Sequence, residues 1–179
     1  MKRRKTILAS IFASPLLYLL NLKANIFRET KGFKVNAGES RNSKHYKMKG
    51  ITLNMLDVKI STTDTDGDLL VLEQTGFTPK GGPPLHLHPT QDEIFFVLEG
   101  EYLFQVGDEK FQLKESDTIF LPRNVPHAFV QLTEKARMLL TFQPAGKMEA
   151  FFKFTSSLNS VPTQTEISKI FELHEMKVV

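Results

Sequence analysis

The 179-residue chain contains no cysteine and no tryptophan. The absence of cysteine excludes disulfide bonds, thiolate zinc sites, iron–sulfur clusters and a cysteine nucleophile. Hydrophobic residues make up 41% and charged residues 24% of the sequence, which are ordinary values for a folded domain. The composition therefore argues against a mainly disordered chain and against a protein that spans a membrane several times. The length suits one compact domain with a single core.

Acidic and basic residues are unevenly distributed along the chain. The first 50 residues hold 12 Lys and Arg but only 2 Asp and Glu, whereas acidic residues exceed basic ones in the remainder. Binding to a phosphate backbone requires clustered basic side chains, and the acidic main part of the chain lacks such a cluster. We therefore expect no nucleic-acid partner.

The basic residues at the start of the chain precede an apolar run. Lys2, Arg3, Arg4 and Lys5 are followed by uncharged residues 6–20, a stretch too short for the roughly 20 residues of a membrane span. A secretory signal consists of a charged segment, an apolar segment and then a small residue, which here is Ala24. We predict that residues 1–24 are a signal peptide, although Leu22 stands where a small residue is preferred, and that the protein is exported to the periplasm or the exterior. The paired arginines are a weak sign of a twin-arginine signal. An uncleaved N-terminal anchor is the alternative, and would be the one membrane contact we expect.

The remainder divides into three segments by pattern. Residues 25–50 are polar and basic and predict a lead-in or linker. Residues 51–145 consist of short runs separated by turn residues, a pattern typical of an all-β sandwich or barrel. Residues 146–179 have helical spacing and predict a C-terminal helical extension. The predicted strands are Thr52–Ile60, Asp68–Thr75, Leu85–His88, Glu93–Glu99, Tyr102–Val106, Lys110–Leu113, Thr118–Leu121, Ala128–Leu132 and Arg137–Phe142. The predicted helices are Lys147–Leu158 and Thr165–Lys177, the second with Thr165 as N-cap and Ile167, Ile170, Phe171 and His174 on one face.

Three of the five histidines stand near predicted strand ends. His86 and His88 are two residues apart, so on a strand their side chains point to the same face and can bind one ion together. Glu93 follows after a turn-rich segment, and His127 follows a second one. If the two strands lie side by side, the four residues form a site of three imidazoles and one carboxylate. His45 and His174 have no such neighbours and are interpreted as ordinary structural or surface residues.

The spacing of these residues resembles the two motifs of the cupin family. The first motif is His-x-His, three or four residues, Glu, six residues and Gly, which matches His86, His88, Glu93 and Gly100. The second motif is Gly, five residues, Pro-x-Gly, two residues, His, three residues and Asn, and its histidine matches His127. All four metal-ligand positions of the family are present.

Four positions depart from the family pattern. Lys80 replaces a usual glycine, with Gly81 and Gly82 directly after it, and Ser116 replaces another. Asn124 stands in place of a turn glycine, a substitution that asparagine tolerates because it readily adopts the left-handed conformation. The fourth departure is Gln131, where the family has asparagine. None of these residues is a ligand in the family motif, so we expect the site to be intact.

The resemblance implies a double-stranded β-helix, or jelly-roll, barrel with a metal ion in its mouth. A set of three histidines and one glutamate suits a divalent transition metal such as Fe, Ni, Mn, Cu or Zn. Cupin barrels often pair through sheet edges, which implies a homodimer to which the lead-in could contribute. The alternating residues Tyr102, Phe104 and Val106 are expected on the inner wall. Further inner-wall candidates are Phe95, Phe129, Met138 and Phe142.

Within the family, the complete ligand set resembles that of quercetin-dioxygenase-like cupins. This likeness implies a metal-dependent dioxygenase that acts on a small hydroxylated aromatic, flavonol-like molecule, with Glu93 both as ligand and as the base that takes the substrate proton. The sequence leaves two alternatives open: a non-catalytic metal-dependent binding protein for a small molecule, and a metal-dependent isomerase or decarboxylase. Arg123 is the only cation near the second motif, which argues against a phosphosugar substrate.

Overall fold

The computed structural model describes residues 28–48 and 54–179, so the predicted signal peptide lies outside the described residues. The described part contains eleven strands and two α-helices. The strands are β1 (His45–Lys47), β2 (Asn54–Ile60), β3 (Leu70–Gly76), β4 (His86–Leu87), β5 (Asp92–Glu99), β6 (Tyr102–Val106), β7 (Glu109–Leu113), β8 (Thr118–Leu121), β9 (His127–Gln131), β10 (Ala136–Gln143) and β11 (Lys177–Val178). The helices are α1 (Met148–Ser157) and α2 (Gln164–Leu173).

The strands form two antiparallel sheets that enclose one core. The six-stranded sheet has the order β1-β2-β3-β10-β5-β8, and the five-stranded sheet has the order β11-β4-β9-β6-β7. Strands distant in sequence are neighbours in both sheets, as in a jelly roll, and the predicted fold class is confirmed. Each of the nine predicted strands corresponds to an observed strand. Within the described residues, the ends of the observed strand differ from the predicted ends by at most two residues.

Side-chain alternation explains how the strands enclose the core. Along β10, Ala136, Met138, Leu140 and Phe142 are buried, whereas the residues between them are only partly covered. This period of two is the pattern of a strand with one face toward the interior. The expected inner-wall residues Tyr102 and Phe104 are also fully buried, whereas Val106 is half-buried.

Three positions that depart from the family's motif pattern have left-handed backbone. The φ angles are 68° at Lys80, 74° at Ser116 and 63° at Asn124. Asn124 donates a side-chain hydrogen bond to the carbonyl of Pro89 at 3.1 Å, which helps to fix its turn. Lys80 and Ser116 have an exposed side chain, so they carry the strain of a positive φ with no evident compensation.

The left-handed backbone at Ser116 predicts that Ser116→Gly stabilises the protein by about 0.5–1 kcal/mol. Glycine removes a steric cost of about 1–2 kcal/mol, and its greater freedom in the unfolded chain offsets part of that gain. Glu115→Gly is the matched control, since Glu115 is exposed in the same turn but has no positive φ. Urea denaturation should show a higher midpoint for Ser116→Gly and a lower one for Glu115→Gly. Equal losses in both variants would contradict the prediction.

The second helix begins and ends at residues other than those predicted. Thr163, not Thr165, is the N-cap: its hydroxyl accepts from the Glu166 amide, and the Glu166 carboxylate accepts from the Thr163 amide, the reciprocal bonds of a capping box. The helix ends at Leu173 rather than continuing to Lys177. Glu175 has a φ of 66°, which reverses the chain into strand β11.

The two helices pack across one end of the barrel. Ile167, Ile170 and Phe171 of α2 are buried as expected, together with Phe151 and Phe152 of α1. Strand β11 then pairs with β4, so the extension is joined to the five-stranded sheet. In the same way, β1, which lies in the predicted lead-in, extends the six-stranded sheet.

A buried carboxylate attaches α1 to the segment before β3. Glu149 accepts hydrogen bonds from the Ser61 hydroxyl at 2.8 Å and the Thr62 amide at 2.8 Å, and from the Lys44 ammonium at 2.6 Å. Burial would raise the pKa of Glu149, but these donors outweigh it and lower the pKa. The ionised carboxylate therefore fixes the helix against the barrel. Within the described ranges, no helix is long and apolar enough to cross a membrane.

Candidate metal centre

The four predicted ligands meet inside the barrel. One ligand atom from each of His86, His88, Glu93 and His127 lies within 4.8 Å of every other, and all four side chains are buried. The structure thus brings together residues that are up to 41 positions apart in sequence.

Strand register explains this convergence. His86 on β4 stands directly opposite His127 on β9 in an antiparallel pair. His88 lies two residues beyond His86, at a spacing that returns a side chain to the same face. Glu93 comes from β5 of the opposite sheet. The three imidazoles therefore belong to one wall of the barrel and the carboxylate to the other.

The outer nitrogen of each imidazole has a hydrogen-bond partner. Nδ1 of His86 lies 2.8 Å from the Pro84 carbonyl, and Nδ1 of His127 lies 3.0 Å from the Val125 carbonyl. A carbonyl oxygen only accepts, so each Nδ1 carries the proton. In the neutral form of each ring, Nε2 is then unprotonated and has a free lone pair, which is the form that binds a metal.

Gln91 fixes the third imidazole in the same way. Its side-chain NH₂ donates to the Pro144 carbonyl at 2.8 Å, which sets the orientation of the amide and turns its oxygen toward His88. That oxygen lies 3.0 Å from Nδ1 of His88 and accepts a hydrogen bond from its N–H group. Gln91 is almost completely buried, and sequence reasoning missed this role because a lone glutamine carries no signal for it.

The inner atoms of the cluster are close together without being hydrogen-bonded. Nε2 of His88 lies 2.6 Å from Oε1 of Glu93, and Nε2 of His127 lies 3.3 Å from the same oxygen. Nevertheless, all three atoms are buried without a partner in hydrogen-bond geometry. Orphaned buried polar atoms of this kind are costly. A cation between them would satisfy all three, so the residues fit a divalent metal ion.

The electrostatics of the metal-free cluster favour the metal-binding protonation states of Glu93 and His86. Burial alone would raise the pKa of Glu93, but His88 and His127 outweigh it and hold that pKa well below its usual range. Burial and the neighbouring His127 lower the pKa of His86 to about 3. At neutral pH the cluster therefore has an ionised carboxylate and a neutral His86, both ready to bind a metal. At His88 burial would lower the pKa, but Glu93 outweighs it and raises the pKa, so a metal would have to displace a proton from this ring.

The arrangement around Gln91 predicts that Gln91→Leu weakens metal binding by about 10- to 100-fold. Leucine removes the acceptor that orients His88, and loss of such a partner typically has an effect of this size. Gln112→Leu is the matched control, because Gln112 is exposed on β7. Competition with a chelator of known affinity measures the change. An unchanged metal affinity in Gln91→Leu would show that Gln91 does not orient the ligand.

A mainly apolar cavity of about 60 Å³ adjoins the cluster. Of the expected inner-wall residues, Phe95, Phe129 and Phe142 line it, whereas Tyr102, Phe104 and Met138 are buried in the barrel away from it. The remaining lining residues include Met148, Phe151, Phe152, Phe171 and Met176 from the C-terminal segment. Sequence reasoning did not place these five at the site.

The C-terminal segment touches the metal cluster directly. The Phe171 ring contacts the His86 ring edge to face, with 5.2 Å between centroids. No Lys or Arg side chain lines the cavity in the described part of the chain. Arg123, the cation near the second motif, instead forms an ion pair with Asp92, and both side chains are partly exposed.

Comparison with known proteins matches a family model described as a cupin domain to residues 75–142. The uncharacterized protein MJ1618 of Methanocaldococcus jannaschii is 46% identical over 43 residues, which are 24% of this chain and 34% of that protein. An uncharacterized protein of Aquifex aeolicus is 30% identical over 88 residues, 49% of this chain and 68% of the relative. The chain thus spans about a third of the length of the first of these relatives and two thirds of the second.

Solved structures share the fold at low sequence identity. An RmlC-like cupin from Shewanella frigidimarina has a TM-score of 0.52 and 18% identity, covering 66% of this chain and 96% of that one. The polyketide cyclase RemF from Streptomyces resistomycificus has a TM-score of 0.53 and 23% identity, covering 64% of this chain and 80% of that one. Identities this low support the common fold and leave the activity open.

Proposed function

We propose, from the premise that this chain belongs to the cupin superfamily, that it is a metal-dependent dioxygenase for a small hydroxylated aromatic molecule. Its three buried histidines and Glu93 would hold one divalent transition-metal ion. Quercetin-dioxygenase-like chemistry is the specific form of this proposal, and it rests on the ligand set alone.

The observation that carries the proposal is the character of the cavity beside the ligands. Apart from the cluster itself, Gln74 is the only polar residue that lines the cavity in the described part of the chain. A phosphorylated sugar would find no cation and few hydrogen-bond donors there. A volume of about 60 Å³ holds roughly four to six water molecules, so the cavity suits a small ligand, and a flavonol would require the C-terminal helices to move.

The residues of the chain would position the substrate and exclude water. The three histidines and Glu93 would hold the ion, which when bound would supply Lewis-acid and redox chemistry toward a substrate oxygen and dioxygen. The aromatic rings of Phe95, Phe129 and Phe142 would hold the apolar body of the substrate against the cluster. Glu93, which belongs to the same cluster, would accept the hydroxyl proton, as the family resemblance implies. Phe171 and Met176 would keep bulk water out.

The enclosure of the cavity favours a second candidate function. The C-terminal helices and β11 cover the barrel end, and β11 is paired with the strand that carries His86. This partial cover would help to retain a small ligand whether or not the protein converts it. The second candidate is therefore a non-catalytic metal-dependent binding protein.

Elemental analysis followed by oxygen-uptake measurements tests the proposal. The protein is purified without metal-chelating resin, and its metal content is measured first. The iron-, nickel-, manganese- and copper-loaded forms are then incubated with small hydroxylated aromatics. Substrate-dependent oxygen uptake that is lost in Glu93→Gln supports a dioxygenase. Ligand binding without oxygen uptake in any loaded form supports the binding protein and overturns the dioxygenase proposal.

We also propose that the chain is exported and forms a homodimer, both from sequence alone. Fractionation of cells that express the full chain tests export, and replacement of the four basic residues Lys2–Lys5 by alanine should retain the protein in the cytoplasm. Sedimentation analysis tests the dimer. A cytoplasmic wild-type chain or a monomer would overturn the respective proposal.

A further inference from the structure

Gln74, on β3, is a buried polar residue whose side-chain amide has no hydrogen-bond partner. The residue is only 4% exposed, and its Nε2 is inaccessible to solvent and unpaired. Its side chain lines the same cavity as the metal cluster. A buried unpaired amide destabilises a protein unless something supplies its partner, and in this cavity a ligand can do so.

Strand register places Gln74 at the opposite end of the cavity from the metal cluster. Glu93 on β5 stands beside Phe142 on β10, which stands beside Leu70 on β3. Gln74 lies four residues beyond Leu70 on the same face of the strand. At about 3.4 Å per residue, its backbone is displaced by roughly 13 Å along the sheet from the level of Glu93. Both side chains project into the interior, which shortens the distance between their polar atoms.

The wall between the two ends is apolar. It is formed mainly by Leu56, Phe95, Phe129 and Leu140. A molecule that occupied the whole cavity would therefore meet hydrogen-bonding groups only at its ends. This pattern of an apolar cavity with few convergent polar groups is typical of a site that fixes the orientation of a small ligand.

A second unpaired group, the Tyr102 hydroxyl, lies beside Gln74 in the barrel interior and does not line the cavity. Burial raises the pKa of the Tyr102 hydroxyl, and the adjacent Gln74 amide acts in the opposite direction. The two side chains nevertheless lack hydrogen-bond geometry, and the Tyr102 hydroxyl is also without a partner. Neither group therefore satisfies the other, and the Gln74 amide remains an unused donor at the distal end of the cavity.

We propose that Gln74 is a substrate-binding residue that donates a hydrogen bond to an oxygen atom at the distal end of the substrate. The inference rests on the proposed function, because the proximal end of the substrate is taken to bind at the metal cluster. The substrate class is thereby defined as a small, mainly apolar molecule with an oxygen group at each end. Gln74 acts on orientation and specificity, and takes no part in proton transfer.

A matched pair of metal-binding probes tests this assignment. The probes are 5-oxohexanohydroxamic acid and the isostere in which a C=CH₂ group replaces its ketone. Both have the same hydroxamate for the metal, and they differ only in the distal oxygen. Binding to the cobalt-loaded protein is followed through the visible spectrum of the ion. The wild type should bind the ketone about 2- to 10-fold more tightly, the range that one hydrogen bond supplies.

Gln74→Leu should reduce this preference to unity or below. Gln105→Leu is the matched control, since Gln105 is a partly buried glutamine on β6 that donates to the Gly107 carbonyl and does not line the cavity. It should keep the preference. Gln74→Met, which preserves the length of the side chain, serves in place of Gln74→Leu if that variant does not fold.

The melting temperature gives a second measurement. If Gln74 had only a structural role, its replacement would lower the melting temperature, whereas the proposal predicts a rise. Because Gln74 is unpaired without ligand, Gln74→Leu should raise the melting temperature of the ligand-free protein by about 3 °C. A lower melting temperature of Gln74→Leu, together with equal affinity of the wild type for both probes, would overturn the proposal. It would indicate that a structural water molecule is the hydrogen-bond partner of Gln74. If neither hydroxamate perturbs the cobalt spectrum, the metal-centred function fails. Equal binding of both at the metal refutes only the role of Gln74.

Discussion

Replacing His127 by alanine is expected to weaken metal binding by about 100- to 1,000-fold. Binding of a transition metal by four protein ligands has an apparent free energy of about 10–16 kcal/mol at structural zinc sites, or roughly 3 kcal/mol for each ligand. Each 1.4 kcal/mol corresponds to a factor of ten. His127 contributes one of the three Nε2 atoms, and alanine leaves no other donor in its place. His86→Ala should have a similar effect, because His86 stands directly opposite His127.

His45→Ala is the matched control for both variants. His45 is an exposed histidine that pairs with Asp57 at 2.6 Å and lies outside the cluster. It should retain the wild-type metal content in elemental analysis after dialysis against a chelator. Glu93→Gln separates charge from shape, since it keeps the size of the side chain and removes the negative charge. Wild-type metal content in His86→Ala and His127→Ala would refute the assignment of the centre.

The ligand set could be predicted from sequence because its signal is local and chemical. His86 and His88 share a face through the two-residue period of a strand, and that relation holds wherever the strand is placed. Glu93 and His127 are recognisable at fixed intervals from turns rich in proline. The fold follows from the same region, because short alternating runs separated by turn residues have few other solutions than a β-barrel.

The cover of the cavity could not be predicted in the same way. Phe171 and His86 are 85 positions apart, and an apolar helix face carries no information about which end of a barrel it covers. Strand β11 has only two residues and pairs through its backbone, so its sequence is not distinctive. Gln74 and Gln91 were missed for a related reason. A buried glutamine is identified by the partner it has or lacks, which is a property of the folded state.

The family pattern has glycine where this chain has Lys80, and the structure explains this departure, because the glycine that the entry loop needs is Gly82. A side chain at Gly82 would place its Cβ 1.8 Å from the carbonyl oxygen of Phe129 on β9. The entry loop is joined to that strand by two backbone hydrogen bonds. The Lys80 backbone amide donates to the Gln131 carbonyl at 2.8 Å, and the Gln131 backbone amide donates to the Gly81 carbonyl at 3.1 Å. Lys80 itself is exposed and tolerates a side chain despite its positive φ. The close approach that requires glycine therefore lies at Gly82.

Gly82→Ala is accordingly expected to lower the free energy of unfolding by about 3–5 kcal/mol, among the largest effects of a single substitution. The added Cβ meets a backbone carbonyl of a strand between two neighbours, which cannot move aside as a flexible side chain would. Gly81→Ala is the matched control, because its Cβ would lie 3.9 Å from the nearest atom. Neither glycine has a positive φ, so the pair differs in close approach alone.

Urea denaturation of the metal-free proteins measures the difference. The free energy of unfolding of Gly81→Ala should differ from the wild-type value by less than about 1 kcal/mol. Since β9 begins with His127, displacement of this strand by Gly82→Ala should also weaken metal binding. Equal stability of the two variants would show that the loop moves away from β9 at little cost. In that case the entry loop would not help to hold His127 in place, and metal affinity should also be equal in the two variants.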